Sequence, residues 1–152
     1  MTDRQKPALI EVFLRLEHDS ADPDTVTAVL GLAPTHSVKR GELAADGKGE
    51  TYPWNVWVLS SAWSVPRRSD VREHFQWLLA SVGSRASELR TLRNQGYRIA
   101  VHCTWIGQSG YGGPDLSPQI LRGLADLEVE VYFDVSQVNL GATTTPASRS
   151  ST

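Results

Sequence analysis

The sequence has one cysteine, Cys103, and therefore forms no disulfide within the chain. It has no cysteine or histidine pair with the spacing of a zinc site, so we expect no metal and no other cofactor. No apolar run approaches the ~20 residues that span a bilayer. The polar segment 1–7 does not resemble an export signal. These absences predict a cytoplasmic protein.

A strong excess of one charge is also missing. The 152 residues include 15 basic and 17 acidic side chains, for a formal net charge of −2. Such a chain has no overall field that attracts nucleic acid or an anionic membrane, so we predict neither as a partner. The charges are unevenly spread, with seven arginines within 67–98 and four acids within 126–134. These segments are either solvated surfaces or a dipolar surface that guides a partner or a second copy.

Catalytic motifs are absent as well. The glycine-rich segment 107–113 lacks the end of a phosphate-binding loop, the dinucleotide-binding spacing and a nucleophile elbow, so we expect a loose hairpin there. His102 precedes Cys103, but adjacent side chains on a strand point to opposite faces. Cys103 is therefore predicted to be a small buried apolar residue. We assign no catalytic, cofactor-binding or metal-binding residue and lean against an enzyme.

The chain does contain alternating strand-like and helix-like segments. Period-two patterns predict long strands at 8–17, 52–61, 97–105 and 128–135, with a short one near 37–40. In the last strand Val129, Val131, Phe133 and Val135 are expected to form a buried face. Strand 52–61 carries large apolar residues on both sides, so its buried side is left open.

Capping residues mark the helices. Asp22 with Pro23, and Ser117 with Pro118, combine a side-chain acceptor with a proline suited to the first turn. Ser69 or Asp70 is expected to cap the long middle helix. Glycines end or interrupt the helical patterns; they are Gly31, Gly83 and Gly96.

This order of elements predicts one α+β domain over residues 8–136. A lead, 1–7, precedes the domain, and a tail, 137–152, follows it with disorder expected from about Leu140. The first six elements match the split β-α-β order of ferredoxin-like domains, to which a helix and a strand are added. We expect a single, mostly antiparallel sheet with helices on one face and the second face open or covered by a partner.

Aromatic residues could make that second face a binding platform. Of the five tryptophans we expect Trp57 there, together with Phe13, His102 and Tyr132, edged by Arg98, Glu128 and Glu130. Acidic side chains on the same face argue against RNA, because nucleic-acid affinity depends on neutralising phosphates. Each tryptophan could instead be an ordinary core residue.

A second candidate is the segment Lys39-Arg40-Gly41-Glu42. Its glycine allows close approach of the backbone, and its two cations could hold an anion. The alternative interpretation is a charged edge strand that discourages aggregation.

Several short motifs, in this order, resemble the bacterial domain-of-unknown-function 4279 family over residues 8–135. The motifs are Asp22-Pro23-Asp24, Leu30-Gly31-Leu32-Ala33-Pro34-Thr35, Lys39-Arg40-Gly41-Glu42, Trp54-Asn55-Val56-Trp57, Leu116-Ser117-Pro118 and Glu130-Val131-Tyr132. The family usually has Asp where this chain has Glu130. The family carries no established activity, so the resemblance implies domain limits more than function.

Our leading hypothesis is a non-enzymatic protein-interaction or binding module, of a regulatory or immunity type. Its partner would be another protein or a second copy, bound through the sheet face or edge. The candidate surface comprises Lys39, Arg40, Glu42, Trp54, Trp57, Arg98, His102, Glu130 and Tyr132. The alternatives are a small enzyme that uses His102, Glu130 and Tyr132, and a small-molecule carrier in which Lys39 and Arg40 hold an anion.

Overall fold

The computed structural model describes residues 7–108 and 112–138. The elements are β1 (Leu9–His18), α1 (Pro23–Leu30), β2 (His36–Val38), β3 (Asn55–Ser60), a 3-10 turn (Ser61–Trp63), α2 (Val71–Val82), α3 (Ala86–Asn94), β4 (Arg98–Gln108), α4 (Pro118–Asp126) and β5 (Glu130–Val138). They follow the predicted order. The predicted lead, apart from Pro7, and the tail predicted to be disordered from Leu140 lie outside the described residues.

Local capping chemistry sets the helix limits, as the sequence predicted. Asp22, Asp70 and Ser117 each accept a hydrogen bond from a backbone N–H in the first turn of α1, α2 and α4. Gly31 ends α1 with φ 65°, a left-handed conformation that a residue without Cβ adopts without strain. Helix α2 ends before Gly83, and α3 follows as a separate helix.

The five strands form one sheet in the order β2-β3-β1-β4-β5. Neighbours are antiparallel except for β4 and β5, which are parallel. The sheet is therefore mixed, which corrects the expectation of a mostly antiparallel sheet. The reason is that α4 carries the chain back across the sheet, and a helical crossover brings the next strand in parallel. The ferredoxin-like order stays a prediction.

The helices pack on one face of the sheet, hereafter the covered face. On β1 the covered face carries Ile10, Val12, Leu14 and Leu16, all essentially inaccessible to solvent. They contact apolar residues from α1, α2, α3 and α4 in one core, among them Val26, Phe75, Leu78, Leu89 and Ile120. Removing this apolar surface from water is the main stabilising term of the fold.

Trp57 lies in this core, and its predicted place on the opposite face is wrong. It pairs with Leu16 in the β1–β3 ladder, so its side chain points to the covered face, where it is 1% exposed. Its indole N–H donates to Thr27 Oγ1 at 3.0 Å, which satisfies the one polar group of the buried ring. The ladder also shows that Trp57 and Leu59 are on the side of β3 that faces the helices, while Val56 on the other side is buried as well.

Strand β4 confirms one expectation and corrects another. Cys103 is completely buried, and burial raises the pKa of its thiol to about 12, so it is an unreactive apolar residue. Gly107, expected in a loose hairpin, is instead part of β4. A Cβ at this position would lie 2.1 Å from a ring carbon of Trp105. The glycine therefore makes room for the buried indole; residues 109–111 lie outside the described part.

Strand β5 is less buried than its pattern predicted. Val129 and Val131 pack against the core, but Phe133 and Val135 are close to half exposed. Since β5 is the last strand of the sheet, its outer edge has no neighbouring strand within residues 7–108 and 112–138. None of the helices in these ranges is long and apolar enough to cross a bilayer.

Candidate functional site

The second face of the sheet, hereafter the open face, carries a row of three aromatic rings. The ladders place Phe13 on β1, His102 on β4 and Tyr132 on β5 side by side. Phe13 stacks on His102 with ring centroids 5.0 Å apart, and His102 stacks on Tyr132 at 5.3 Å. Offset stacking of this kind orders the side chains. The predicted grouping of these three residues on one face is confirmed.

A cleft of about 500 Å³ lies next to this row. Ala100 lines it, and its ladder partners are Arg15 on β1 and Glu130 on β5. Because the methyl side chain is much shorter than its neighbours, we interpret Ala100 as the floor of the cleft. The strands contribute Arg15, Glu17, Arg98, Ile99, Ala100, His102, Glu130 and Tyr132 to the lining.

Ion pairs hold the arginines on the β1 side of the cleft. Arg15 Nε contacts Glu17, and Arg98 lies 3.5 Å from Glu17 and 3.1 Å from Asp19. The Arg98 guanidinium also sits over the Trp54 ring, 4.9 Å from its centroid. This cation–π contact brings Trp54 to the margin of the cleft.

The opposite wall is formed where the arginine-rich segment meets the acidic one. Arg90 lies 3.1 Å and Arg93 3.7 Å from the Glu128 carboxylate, and Arg93 also donates to the Glu128 backbone oxygen at 2.9 Å. Arg93 and Glu128 line the cleft. Part of the uneven charge seen in the sequence is thus paired within the chain.

The environment sets the proton states of the two polar rings. Burial lowers the pKa of His102, and the Arg15 charge lowers it further, while Glu17 opposes both effects. The Tyr132 hydroxyl donates to Glu130 Oε2 at 2.6 Å, and this hydrogen bond raises the pKa of the phenol. Near neutral pH the cleft therefore presents a neutral imidazole and a protonated phenol.

The predicted surface residues fall into three places. Arg98, His102, Glu130 and Tyr132 line the cleft, Trp54 lies beside Arg98, and Trp57 is in the core. Lys39, Arg40 and Glu42 follow the edge strand β2 and do not line the cleft. The Lys39 ammonium pairs with Asp22 at 3.1 Å, which raises the pKa of the lysine. A bound anion would have to compete with that carboxylate.

The predicted surface lacked seven residues that line the cleft, among them Arg15, Glu17 and Ala100. A signal for the first two was present, because they follow Phe13 on the same side of β1 at a spacing of two residues. No pattern in the sequence marks Ala100. It matters only because its two ladder partners have long side chains.

A serine–histidine pair elsewhere in the molecule is structural. Ser61 Oγ lies 2.7 Å from His74 Nδ1, accepts from Val12 N–H, and is completely buried, as is His74. His74 Nε2 lies 3.1 Å from the Pro66 carbonyl oxygen. Nε2 must therefore carry the proton, and Ser61 donates to Nδ1. The hydroxyl of Ser61 and both ring nitrogens of His74 therefore have hydrogen-bond partners, and neither residue lines the cleft.

The part of the chain that the structure describes contains no cluster of potential metal ligands. Within residues 7–108 and 112–138, no three His, Cys, Asp or Glu side chains come together as metal ligands do. The cleft carboxylates instead contact arginines or a tyrosine hydroxyl. The arrangement is suited to noncovalent recognition by stacking, hydrogen bonding and charge.

Comparison with known families identifies the domain. A family model described as "Domain of unknown function (DUF4279)" matches residues 8–138. The chain belongs to this family. The match confirms the resemblance seen in the short motifs, and it runs from the residue before β1 to the last residue of β5. Comparison with curated proteins and with solved structures gave no match. Both walls of the cleft lie within the family domain.

Proposed function

We propose that this DUF4279 protein is a non-enzymatic binding module whose ligand occupies the cleft beside Ala100. The observation that carries the proposal is the combination of a cleft of about 500 Å³ with three stacked rings on the face that the helices leave open. Small-molecule sites commonly have volumes of ~300–1,000 Å³ and combine apolar or aromatic walls with a few polar groups.

The lining of the cleft favours binding over catalysis. Among the described residues that line it, none is a serine, threonine or cysteine, so an activated nucleophile of the usual kind is missing. Tyr132 keeps its phenol proton near neutral pH, as the raised pKa indicates, so it is not available there as a general base. His102 is confined between two rings. These features support recognition of a ligand as the task of the site.

The size of the cleft suits a small molecule or one side chain of a protein partner. We propose neither nucleic acid nor membrane, because Glu17, Glu130 and Asp134 project from the same face and would repel phosphates. The setting we propose is a regulatory or immunity role in the bacterial cytoplasm. The family resemblance supports the bacterial setting, and a cysteine without a disulfide partner in the chain fits the reducing cytoplasm.

A fragment screen followed by amide NMR tests the proposal. Aromatic and charged fragments are expected to shift amides of 98–102 and 130–132. Ala100→Leu should abolish those shifts, because the larger side chain fills the cleft. Ala80→Leu, the same change at an exposed position on α2, should leave them unchanged. A screen in which no fragment shifts the cleft amides would refute the proposal.

A second copy of this chain, bound through β5, is the alternative partner. Phe133, Val135 and Val138 on this edge strand are exposed by 45%, 46% and 40%, and an uncovered strand edge is a template for pairing. Sedimentation equilibrium distinguishes the two cases. A dimer that Val135→Lys dissociates would favour the alternative, whereas a monomer leaves the cleft as the binding site.

For the fold, we propose a ferredoxin-like core extended by α4 and β5. The first four strands lie in the order β2-β3-β1-β4 with antiparallel neighbours, which supports this relationship. Superposition of an experimentally determined structure on ferredoxin-like domains tests it. A different path of the β1-α1-β2 connection would contradict it.

A further inference from the structure

We infer that the cleft binds a cationic group of its ligand, a primary ammonium or a guanidinium, through the Glu130 carboxylate and the Tyr132 ring. This inference rests on the proposed function, because it names the ligand class of the same cleft. It follows from three features: the pairing of the charges, the exposure of the rings and the size of the cleft.

The charges that surround the cleft are paired, with one exception. Arg15 and Arg98 contact Glu17, and Arg93 contacts Glu128. Glu130 is the exception among the cleft carboxylates: within residues 7–108 and 112–138, no lysine or arginine nitrogen lies within 4.0 Å of it, and its hydrogen-bond partner is the Tyr132 hydroxyl. An incoming cation can therefore pair with Glu130 without displacing another cation.

An anionic ligand faces the opposite situation. To reach Arg15, Arg93 or Arg98, it would have to share the guanidinium with a carboxylate that is already in contact with it and offsets its charge. The bound carboxylate repels a second anion, and an exposed ion pair contributes only ~0–1 kcal/mol even without that repulsion. The pairing of the arginines thus favours a cation over an anion.

The aromatic row strengthens this preference. Tyr132 is 53% exposed, so the part of its ring not covered by His102 is accessible. The face of an aromatic ring attracts cations. The lowered pKa of His102 keeps the imidazole neutral near pH 7, so it does not repel a cation. The contact of Arg98 with Trp54 shows the same chemistry within the chain.

The cationic group could come from a free amine or from the lysine or arginine side chain of a peptide. Both sources place the same head group beside Glu130 and run an alkyl stem over Ala100. A volume of about 500 Å³ accommodates either one. The chemistry of the head group is therefore common to both, and the experiment separates the sources.

Amide NMR titrations at pH 7 test the inference with four probes. The cationic probes are methylguanidinium and the peptide acetyl-Gly-Arg-Gly-amide. Acetyl-Gly-norleucine-Gly-amide is the neutral control, and propionate is the anion. The arginine peptide is expected to bind about tenfold or more tightly than the norleucine peptide, because hydrogen bonds to charged groups are the stronger ones. Much tighter binding of the peptide than of methylguanidinium identifies a peptide source, and equal affinities identify a free small cation.

Two variants of the same strand complete the experiment. Glu130→Gln should weaken the arginine peptide about tenfold. Asp134→Asn removes a charge from the same face of β5 at a residue that does not line the cleft, and should leave the affinity unchanged. Glu130 is exposed, so both variants are expected to fold, and circular dichroism checks this.

The outcomes separate this inference from the proposed function. If propionate or the norleucine peptide shifts the cleft amides as strongly as the arginine peptide, the cation preference is wrong while the binding site stands. Full affinity of the arginine peptide for Glu130→Gln, or no binding of either cationic probe, also overturns the inference. An empty fragment screen, by contrast, refutes the binding site itself.

Discussion

The two faces of the sheet are made by the same strands and have opposite chemistry. On β1 the covered face consists of four aliphatic side chains that solvent does not reach, whereas the open face carries Phe13, Arg15 and Glu17. Successive residues of a strand point to opposite sides. One segment therefore supplies the core with alternate residues and the open face with the others. Substitutions on the two faces should have separable effects.

The largest difference is expected between Trp57→Ala and Tyr132→Ala. Removing the buried indole leaves a large cavity in the core and should lower the free energy of unfolding by about 3–5 kcal/mol. Removing the half-exposed phenol of Tyr132 should lower it by less than about 1 kcal/mol. Urea unfolding followed by circular dichroism measures both. Equal losses would show that the open face is also part of the core.

Gly107→Ala tests the packing of the covered face, because it adds a methyl group next to the buried Trp105 ring. The new methyl group would meet the Trp105 ring at 2.1 Å, and displacing that ring should destabilise the protein by about 1–3 kcal/mol. Gly113→Ala is the matched control. No atom lies within 4 Å of a Cβ there, so a change within about 0.5 kcal/mol is expected. The same unfolding experiment applies, and an unaffected Gly107→Ala variant would mean that the indole moves freely.

Low pH should reduce the stability of the protein through protonation of His74, which is buried on the covered face. Burial lowers the pKa of His74 below its ordinary 6.5, so below that pH the unfolded chain binds more protons than the folded one. Stability is then complete above about pH 6.5 and falls as the pH is lowered, by at most ~1.4 kcal/mol per pH unit for this one group. Unfolding measured between pH 5 and 7.5 reports the slope.

Two variants test whether His74 causes this loss of stability at low pH. His74→Gln should flatten the slope at the expense of overall stability, since it disturbs the hydrogen bonds to Ser61 and Pro66. His102→Gln is the comparison on the open face, where burial also lowers the pKa. If His102→Gln removes the greater part of the slope, the buried chain of hydrogen bonds is not its cause.

Arg98→Ala on the open face is expected to have only a small effect on stability. Arg98 is exposed and pairs with Glu17 and Asp19, and exposed ion pairs contribute ~0–1 kcal/mol. The free energy of unfolding should change within that range, and less at high salt because the pairs are screened. A loss above about 2 kcal/mol, measured by urea unfolding, would make Arg98 a structural residue.

Much of the fold could be predicted because its signals are local. Asp22 and Ser117 cap helices with chemistry confined to one turn, and Gly31 ends a helix by its own backbone freedom. The alternation of β1 likewise needs only neighbouring residues. The parallel pairing of β5 could not be read in this way, because it depends on which edge of the sheet α4 brings the chain to.

The candidate site was predictable only in part. Phe13, His102 and Tyr132 were placed on one face because each alternates with apolar residues on its own strand. Trp57 was misplaced, because apolar side chains occur on both sides of β3 and the sequence offers no contrast between them. Its pairing with Leu16 decides the matter, and that pairing is a contact between distant parts of the chain.

Residue order alone thus established the elements, their caps and the inert character of Cys103, since each follows from interactions within a few residues or from side-chain chemistry. Features that depend on two strands at once, such as which side chains share a face, required the register of the strands. It buried Trp57 and set Ala100 between Arg15 and Glu130, which leaves a hollow on the open face. A strand has a period of two, so a shift of one residue would exchange its faces, and contacts across the sheet are what select one register.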